Sequence, residues 1–163
     1  MSNVNVGITN RNVAALTVSF ANSIRQKNID EFSKFFNLRD TSWPLVDVLP
    51  GGKVINGAQA LIDLHPPFFQ SDATSFEPLD KVAREFDDSD IAYEIDSGDV
   101  VQYGFRAAVT KPKRFGETTQ SSSAKEEAAL ELITIKNLLS VTWRRSAYDK
   151  WYLISITNTV ING

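Results

Sequence analysis

The sequence predicts an α+β domain in which three N-terminal helices pack on one face of a curved, mostly antiparallel sheet. Two observations predict it. The first part of the chain spaces its apolar residues as helices do, with one small hairpin among them; from Ser75 onward the spacing changes to alternation, the period of strands. Helices that come first and strands that come after segregate into two layers around one core.

The 163 residues fit one domain, 1–163, and the composition is ordinary for a globular chain, with 42% hydrophobic and 23% charged residues. At this length about 70% of the unfolded surface is buried on folding, so a single core suffices. There is no cysteine, which excludes a disulfide framework, a thiolate zinc site and a thiol nucleophile. The opening run MSNVNVGITNRN has neither a basic segment nor an apolar stretch, and no apolar run reaches membrane-spanning length. A cytoplasmic protein with no membrane segment is the expectation. The formal net charge is −3, from 17 basic and 20 acidic residues, without the basic excess of a nucleic-acid binder. Lys111, Lys113 and Arg114 sit in a polar loop, and Arg144 and Arg145 point to opposite faces of a strand, so no nucleic-acid partner is expected.

Residues 1–10 read as a flexible tail. Val13, Leu16, Phe20 and Ile24 keep helical spacing and predict a helix over about 11–27. Asn28 reads as the cap of a short second helix, with Glu31 three residues on and an apolar face of Phe32, Phe35 and Phe36. Residues 41–49 read as a strand with Trp43, Leu45, Asp47 and Leu49 on one face and Pro44, Val46 and Val48 on the other. Pro50-Gly51-Gly52 turns the chain into a short return strand at 53–55; a third helix then carries Ala60, Leu61 and Leu64 and ends near His65, before Pro66.

Residues 75–86 read as one strand, followed by a turn at 87–89. Ile91, Tyr93 and Ile95 then alternate with Ala92, Glu94 and Asp96. Val101, Tyr103, Phe105, Ala107 and Val109 form an apolar strand face. Residues 111–125 read as a mobile loop, too long for a tight hairpin, and 125–132 lean locally to helix. Ile133, Ile135, Leu139, Val141 and Trp143 share a face of the next strand, and Trp151 to Ile161 form the last.

In this order and spacing the chain resembles the SnoaL-like branch of the nuclear-transport-factor-2-like (NTF2-like) superfamily. The matching pieces are Asn28-Ile29-Asp30-Glu31-Phe32 with Phe35-Phe36, the run Pro50 to Gly57 leading to Ala60-Leu61 and His65-Pro66-Pro67-Phe68-Phe69, and Val141-Thr142-Trp143-Arg144-Arg145 followed by Trp151-Tyr152-Leu153-Ile154. They span about residues 12–160. The resemblance implies a conical, cystatin-like fold with an apolar pocket, often in a homodimer. Its members include cyclases, isomerases, dehydratases, epoxide hydrolases and non-catalytic binding or assembly domains, so the fold does not choose a function.

Asp47 is the leading candidate for chemistry. Among apolar neighbours its carboxyl would have a raised pKa and could shuttle protons near neutral pH. It also falls at, or one residue from, the position that the resemblance gives to the proton-shuttling aspartate of ketosteroid isomerases. The alternative is a solvated residue before a turn. The same resemblance puts Phe20 where those isomerases have an oxyanion-stabilising tyrosine, and Val141 where they have a protonated aspartate. Neither side chain is a donor, so that isomerase constellation is not expected. His65 is the single histidine. It could pair with Asp47 in acid/base work, or serve only as a cation at a helix C-terminus.

Trp43, Phe69, Tyr93, Tyr103 and Trp143 are candidates to line a pocket for a flat or lipophilic ligand, or else simple core. No metal site and no cofactor are expected; Asp87 to Asp90 lack the spacing of a calcium loop and read as a turn. Three functions remain open: a module binding a small apolar or aromatic molecule; an acid/base enzyme of cyclase, isomerase or hydratase type using Asp47 with His65 or Tyr103; and a macromolecular adaptor. A homodimer is expected, with the Ser140, Thr142 and Arg144 face polar enough to keep its interface moderate.

Overall fold

The helical run beginning near Val13 forms α1 (Arg11–Arg25) in a computed structural model that describes residues 7–40, 43–48, 54–64, 69–80, 83–112 and 132–161. Asn10 caps it, its side chain accepting from the Val13 amide and relieving one unpaired helix-end donor. The helix buries Val13, Ala14, Thr17, Phe20 and Ala21. Lys27, at φ 55°, turns the chain out of the helix. Asn28 then caps α2 (Ile29–Ser33) by accepting from the Glu31 amide. Glu31 does not complete a reciprocal box; its carboxylate pairs with Lys34 instead. α3 (Ala58–Leu64) follows Gly57, whose φ of 93° suits a residue without a Cβ.

Among the described residues seven strands form one sheet: β1 (Val46–Val48), β2 (Val54–Asn56), β3 (Ser75–Pro78), β4 (Ile91–Asp96), β5 (Val100–Pro112), β6 (Leu132–Arg145) and β7 (Trp151–Val160). The order is β2-β1-β7-β6-β5-β3, with β4 also pairing β5. Only β1 and β7 run parallel. The long strands β5 and β6 form the frame, because the apolar face expected from Val101 to Val109 is buried along its whole length.

The sequence expectations are altered in four places. Thr9 and Asn10 are not loose: Glu94 accepts from both Thr9 donors at 2.7 Å and from the Asn10 amide at 3.1 Å, pinning the start of α1 to β4. The strand expected over 75–86 stops at Pro78. Arg84 is drawn instead to Asp80 and, through both terminal nitrogens, to the buried Asp90, which shapes a 3₁₀ turn at Asp88–Asp90. β1 is shorter than 41–49 and begins only after Pro44; Leu49 lies outside the described residues. Lys111 and Pro112 belong to β5, and the rest of the expected loop, with residues 125–131, lies outside the described residues.

Candidate functional site

One face of the sheet is the core wall. Residues paired across strands share a face, so a row can be followed from Ile55 through Asp47, Ile156, Val141 and Tyr103 to Glu94. Ile156, Val141 and Tyr103 are all buried, which places Asp47 on the inner face. Leu45, two residues earlier, is buried as well. The alternation expected of Leu45 and Asp47 therefore holds.

Asp47 is 2% exposed, and its Oδ1 has no hydrogen-bond partner among the described residues. Its on-sheet neighbours Ile55 and Ile156 are aliphatic. Burial alone pushes its carboxyl up to about 7 from an ordinary 3.8. Buried polar atoms are nearly always paired, because leaving one unpaired costs about 1–3 kcal/mol. A neutral acid in an aliphatic wall can both donate and accept one hydrogen bond; an ionised one there attracts a proton or a donor strongly.

The other sequence candidates divide between the two faces. Trp143 and Tyr103 are inside, both fully buried. Trp143 is locked: its Nε1 donates to Thr17 Oγ1 at 2.9 Å, Thr17 donates to the Val13 carbonyl, and the ring meets Phe20 at 6.3 Å and Phe35 at 5.8 Å. The Tyr103 hydroxyl lies 2.5 Å from Glu94 Oε2 and 2.8 Å from the Asn10 carbonyl. Burial and the Glu94 contact raise the pKa of that phenol. On a flat sheet it stands three strands, about 14 Å, from Asp47, so it is not a partner for that carboxyl. Phe69 is buried and packs on Phe32 at 5.1 Å, in the aromatic cluster that Phe20 joins to Trp143 on the inner face. His65 lies outside the described residues.

Trp43 and Tyr93 are on the opposite, convex face, and this corrects the placement read from alternation. The Trp43 ring lies under the Arg144 guanidinium at 5.0 Å and against Tyr152 at 5.8 Å, while its Nε1 reaches the Leu153 carbonyl. Arg144 pairs with Tyr152 on the side away from Trp143. Trp43 precedes β1, so strand alternation does not extend back to it. Tyr93 is turned over by a bulge. Ile91 pairs with Phe105 and Tyr93 with Gly104, so one extra residue in β4 reverses the face. The Tyr93 ring covers Gly104 and its hydroxyl meets Ser140 Oγ at 2.6 Å.

The structure adds one residue to the inner wall. Asn137 pairs with Ala107 and Val160, is 2% exposed, and its Oδ1 has no hydrogen-bond partner among the described residues. Its signal was in the sequence: it occupies the odd position between Ile135 and Leu139 on an otherwise apolar face. Among the described residues no cluster of His, Cys, Asp and Glu could hold a metal ion, and no helix is long and apolar enough to cross a membrane.

No family model matches the sequence, and no curated protein matches it. Solved structures do. An NTF2-like superfamily protein from Salmonella enterica matches with a TM-score of 0.59 at 11% identity, covering 94% of this chain and 91% of that one. A ketosteroid isomerase-like protein from Erwinia carotovora matches with a TM-score of 0.59 at 14% identity, covering 95% and 100%. The association domain of the Caenorhabditis elegans calcium/calmodulin-dependent protein kinase II matches at 0.53 and 14% identity, covering 91% and 93%. The chain therefore has the NTF2-like, cystatin-like cone fold. Its neighbours range from an isomerase-like protein to a kinase association domain, so the likeness fixes architecture and leaves function to the residues on the wall.

Proposed function

We propose that the protein binds a small apolar or aromatic molecule on the concave face of its sheet, with Asp47 as the polar handle. The observation that carries this is the Asp47 carboxyl, buried between Ile55 and Ile156 on the sheet with Oδ1 unpartnered among the described residues. Ligand sites of this kind are apolar walls with a few polar atoms that set orientation. The neutral fluorescent probe N-phenylnaphthylamine, an aromatic molecule with one N–H donor, tests it. Saturable binding at one site per chain is expected, weakened about tenfold by Asp47→Leu, which keeps the branched heavy-atom skeleton and removes the acceptor. No saturable binding, or equal binding by the variant, contradicts it.

A second reading has its own observation. A carboxyl near 7 has the proton affinity that acid/base chemistry at neutral pH requires, as in a SnoaL-like cyclase, isomerase or hydratase. Against it, Phe20 and Val141 provide no donor for an oxyanion, and Tyr103 is committed to Glu94. Exchange of the α-protons of an aromatic ketone such as tetralone decides this reading. Exchange above buffer that is lost in Asp47→Asn supports it, and exchange at the buffer rate removes it.

A homodimer through the convex face is part of the proposal. Tyr93, Gln102, Ser140 and Thr142 bond to one another there, a self-satisfied polar surface that suits a moderate interface. Light scattering at micromolar concentration giving the mass of one chain would exclude it. Residence in the cytoplasm fits the absence of cysteine, and fractionation of the producing cells tests it.

A further inference from the structure

The inner wall has a second unpartnered polar atom, and the two together define a kind of ligand. Asn137 Oδ1 and Asp47 Oδ1 are both buried without a hydrogen-bond partner among the described residues, on the same face of one sheet. Their relation follows from register. Asp47 pairs with Ile156 on β7, and Asn137 on β6 pairs with Val160, four residues further along β7. That is roughly 14 Å along the strand and about 10 Å across two strand spacings on a flat sheet. Sheet curvature shortens the second distance more than the first.

Between the two polar points the wall is formed by Ile156, Val141 and Leu139, all buried and aliphatic, and by Asn158, which is half-buried and already engaged. Asp47, Ile156, Val141, Leu139 and Asn137 are all buried, so this diagonal strip across β1, β7 and β6 faces the interior and a molecule on it would be enclosed. The opposite end of the same wall, at Trp143, is filled by Phe20 and Phe35. A molecule on the strip would thus run along it, away from Trp143.

We propose that the strip binds an elongated, flexible apolar molecule with a hydroxyl or amine at each end, one donating to Asp47 and the other to Asn137. This rests on the binding role proposed for Asp47 and extends it to the length and end-group chemistry of the ligand. Asn137 Oδ1 accepts a hydrogen bond and so selects a donor. A single polar head would leave one of the two buried acceptors unpaired, and a site built to bond a hydroxyl discriminates against the analogue that lacks it.

The test compares decanediol, with hydroxyls at both ends, and decanol, with one, by titration calorimetry on the full chain and on Asn137→Leu. Wild type is expected to bind the diol about tenfold more tightly, although decanol is the more hydrophobic molecule. Asn137→Leu should bind decanol as well as wild type or better and lose the preference for the diol. Its thermal stability should rise, because an unpaired amide is replaced by an aliphatic group with the same branched heavy-atom skeleton. Decanol binding as tightly as the diol to wild type, or an undiminished preference in the variant, overturns this inference and leaves the Asp47 reading standing. Binding of neither molecule overturns it as well, and the naphthylamine titration then decides the Asp47 reading on its own. If the variant fails to fold, the wild-type comparison still decides.

Discussion

Two stretches of one concave wall treat their buried polar atoms in opposite ways. At the Trp143 end the indole N–H, the Thr17 hydroxyl and the Val13 carbonyl form a closed chain of hydrogen bonds, and phenyl rings fill the space around it. On the strip from Asp47 to Asn137, two buried acceptors have no partner. Trp143 and Asn137 lie on one strand, β6, with the same alternation, so the strand period aims a side chain inward without deciding whether it finds a partner. The Trp143 end contributes stability. The strip costs stability, which supports the binding role proposed for it.

Truncating the packed end should have the largest effect. Trp143→Ala removes a fully buried ring and the donor to the Thr17 hydroxyl, so a loss of about 3–5 kcal/mol is expected from urea unfolding. A loss below about 1 kcal/mol would mean that this end is not the packed one.

The strip should respond in the opposite direction. Asp47 holds its proton up to about 7 in the folded chain and releases it at about 3.8 when unfolded. The folded state therefore binds more protons across that window, and stability falls as pH rises from 3.8 to 7. The full effect is on the order of 4 kcal/mol. Asp47→Asn should flatten this dependence and be more stable than wild type well above neutral pH, in thermal melts across the window. A variant less stable than wild type at every pH breaks the comparison.

Gly104→Ala tests the convex face. A Cβ there would come 2.1 Å from the Tyr93 ring, which its hydroxyl contacts hold in place, so a loss of about 1–3 kcal/mol is expected in the same assay. The smallest effect is expected at the start of α1. Tyr103→Phe should cost about 1 kcal/mol. Burial raises the Glu94 carboxyl, but hydrogen bonds from Tyr103, Thr9 and Asn10 outweigh it and hold the pKa below its ordinary 4.5. Stability from Glu94 is therefore present above 4.5 and lost as pH falls through its lower folded value. Acid titration of the variant should show a smaller loss than wild type.

Much of the fold was legible because local signals agreed with the tertiary structure. Val13 to Ile24, the Asn28 cap and the Val101 to Val109 face each formed the expected element. The inward direction of Asp47 was legible for the same reason. Tyr93 was misplaced because a one-residue bulge reverses a strand face without a mark in the sequence. Trp43 was misplaced because alternation was extended through Pro44 into a segment that is not strand. The strand over 75–86 was overextended because Arg84 has its partners at Asp80 and Asp90, a pairing that alternation does not encode. The position of Asn137 on the inner face is readable from alternation; what alternation does not encode is that its amide oxygen has no partner among the described residues.

The most direct test of the account is the titration of the Asp47 carboxyl itself, followed by carbon-detected NMR on the ligand-free chain and assigned with Asp47→Asn. A midpoint near 7 is predicted. A midpoint near the ordinary 3.8 would mean that the carboxyl is solvated or paired, and the strip would lose its polar handle.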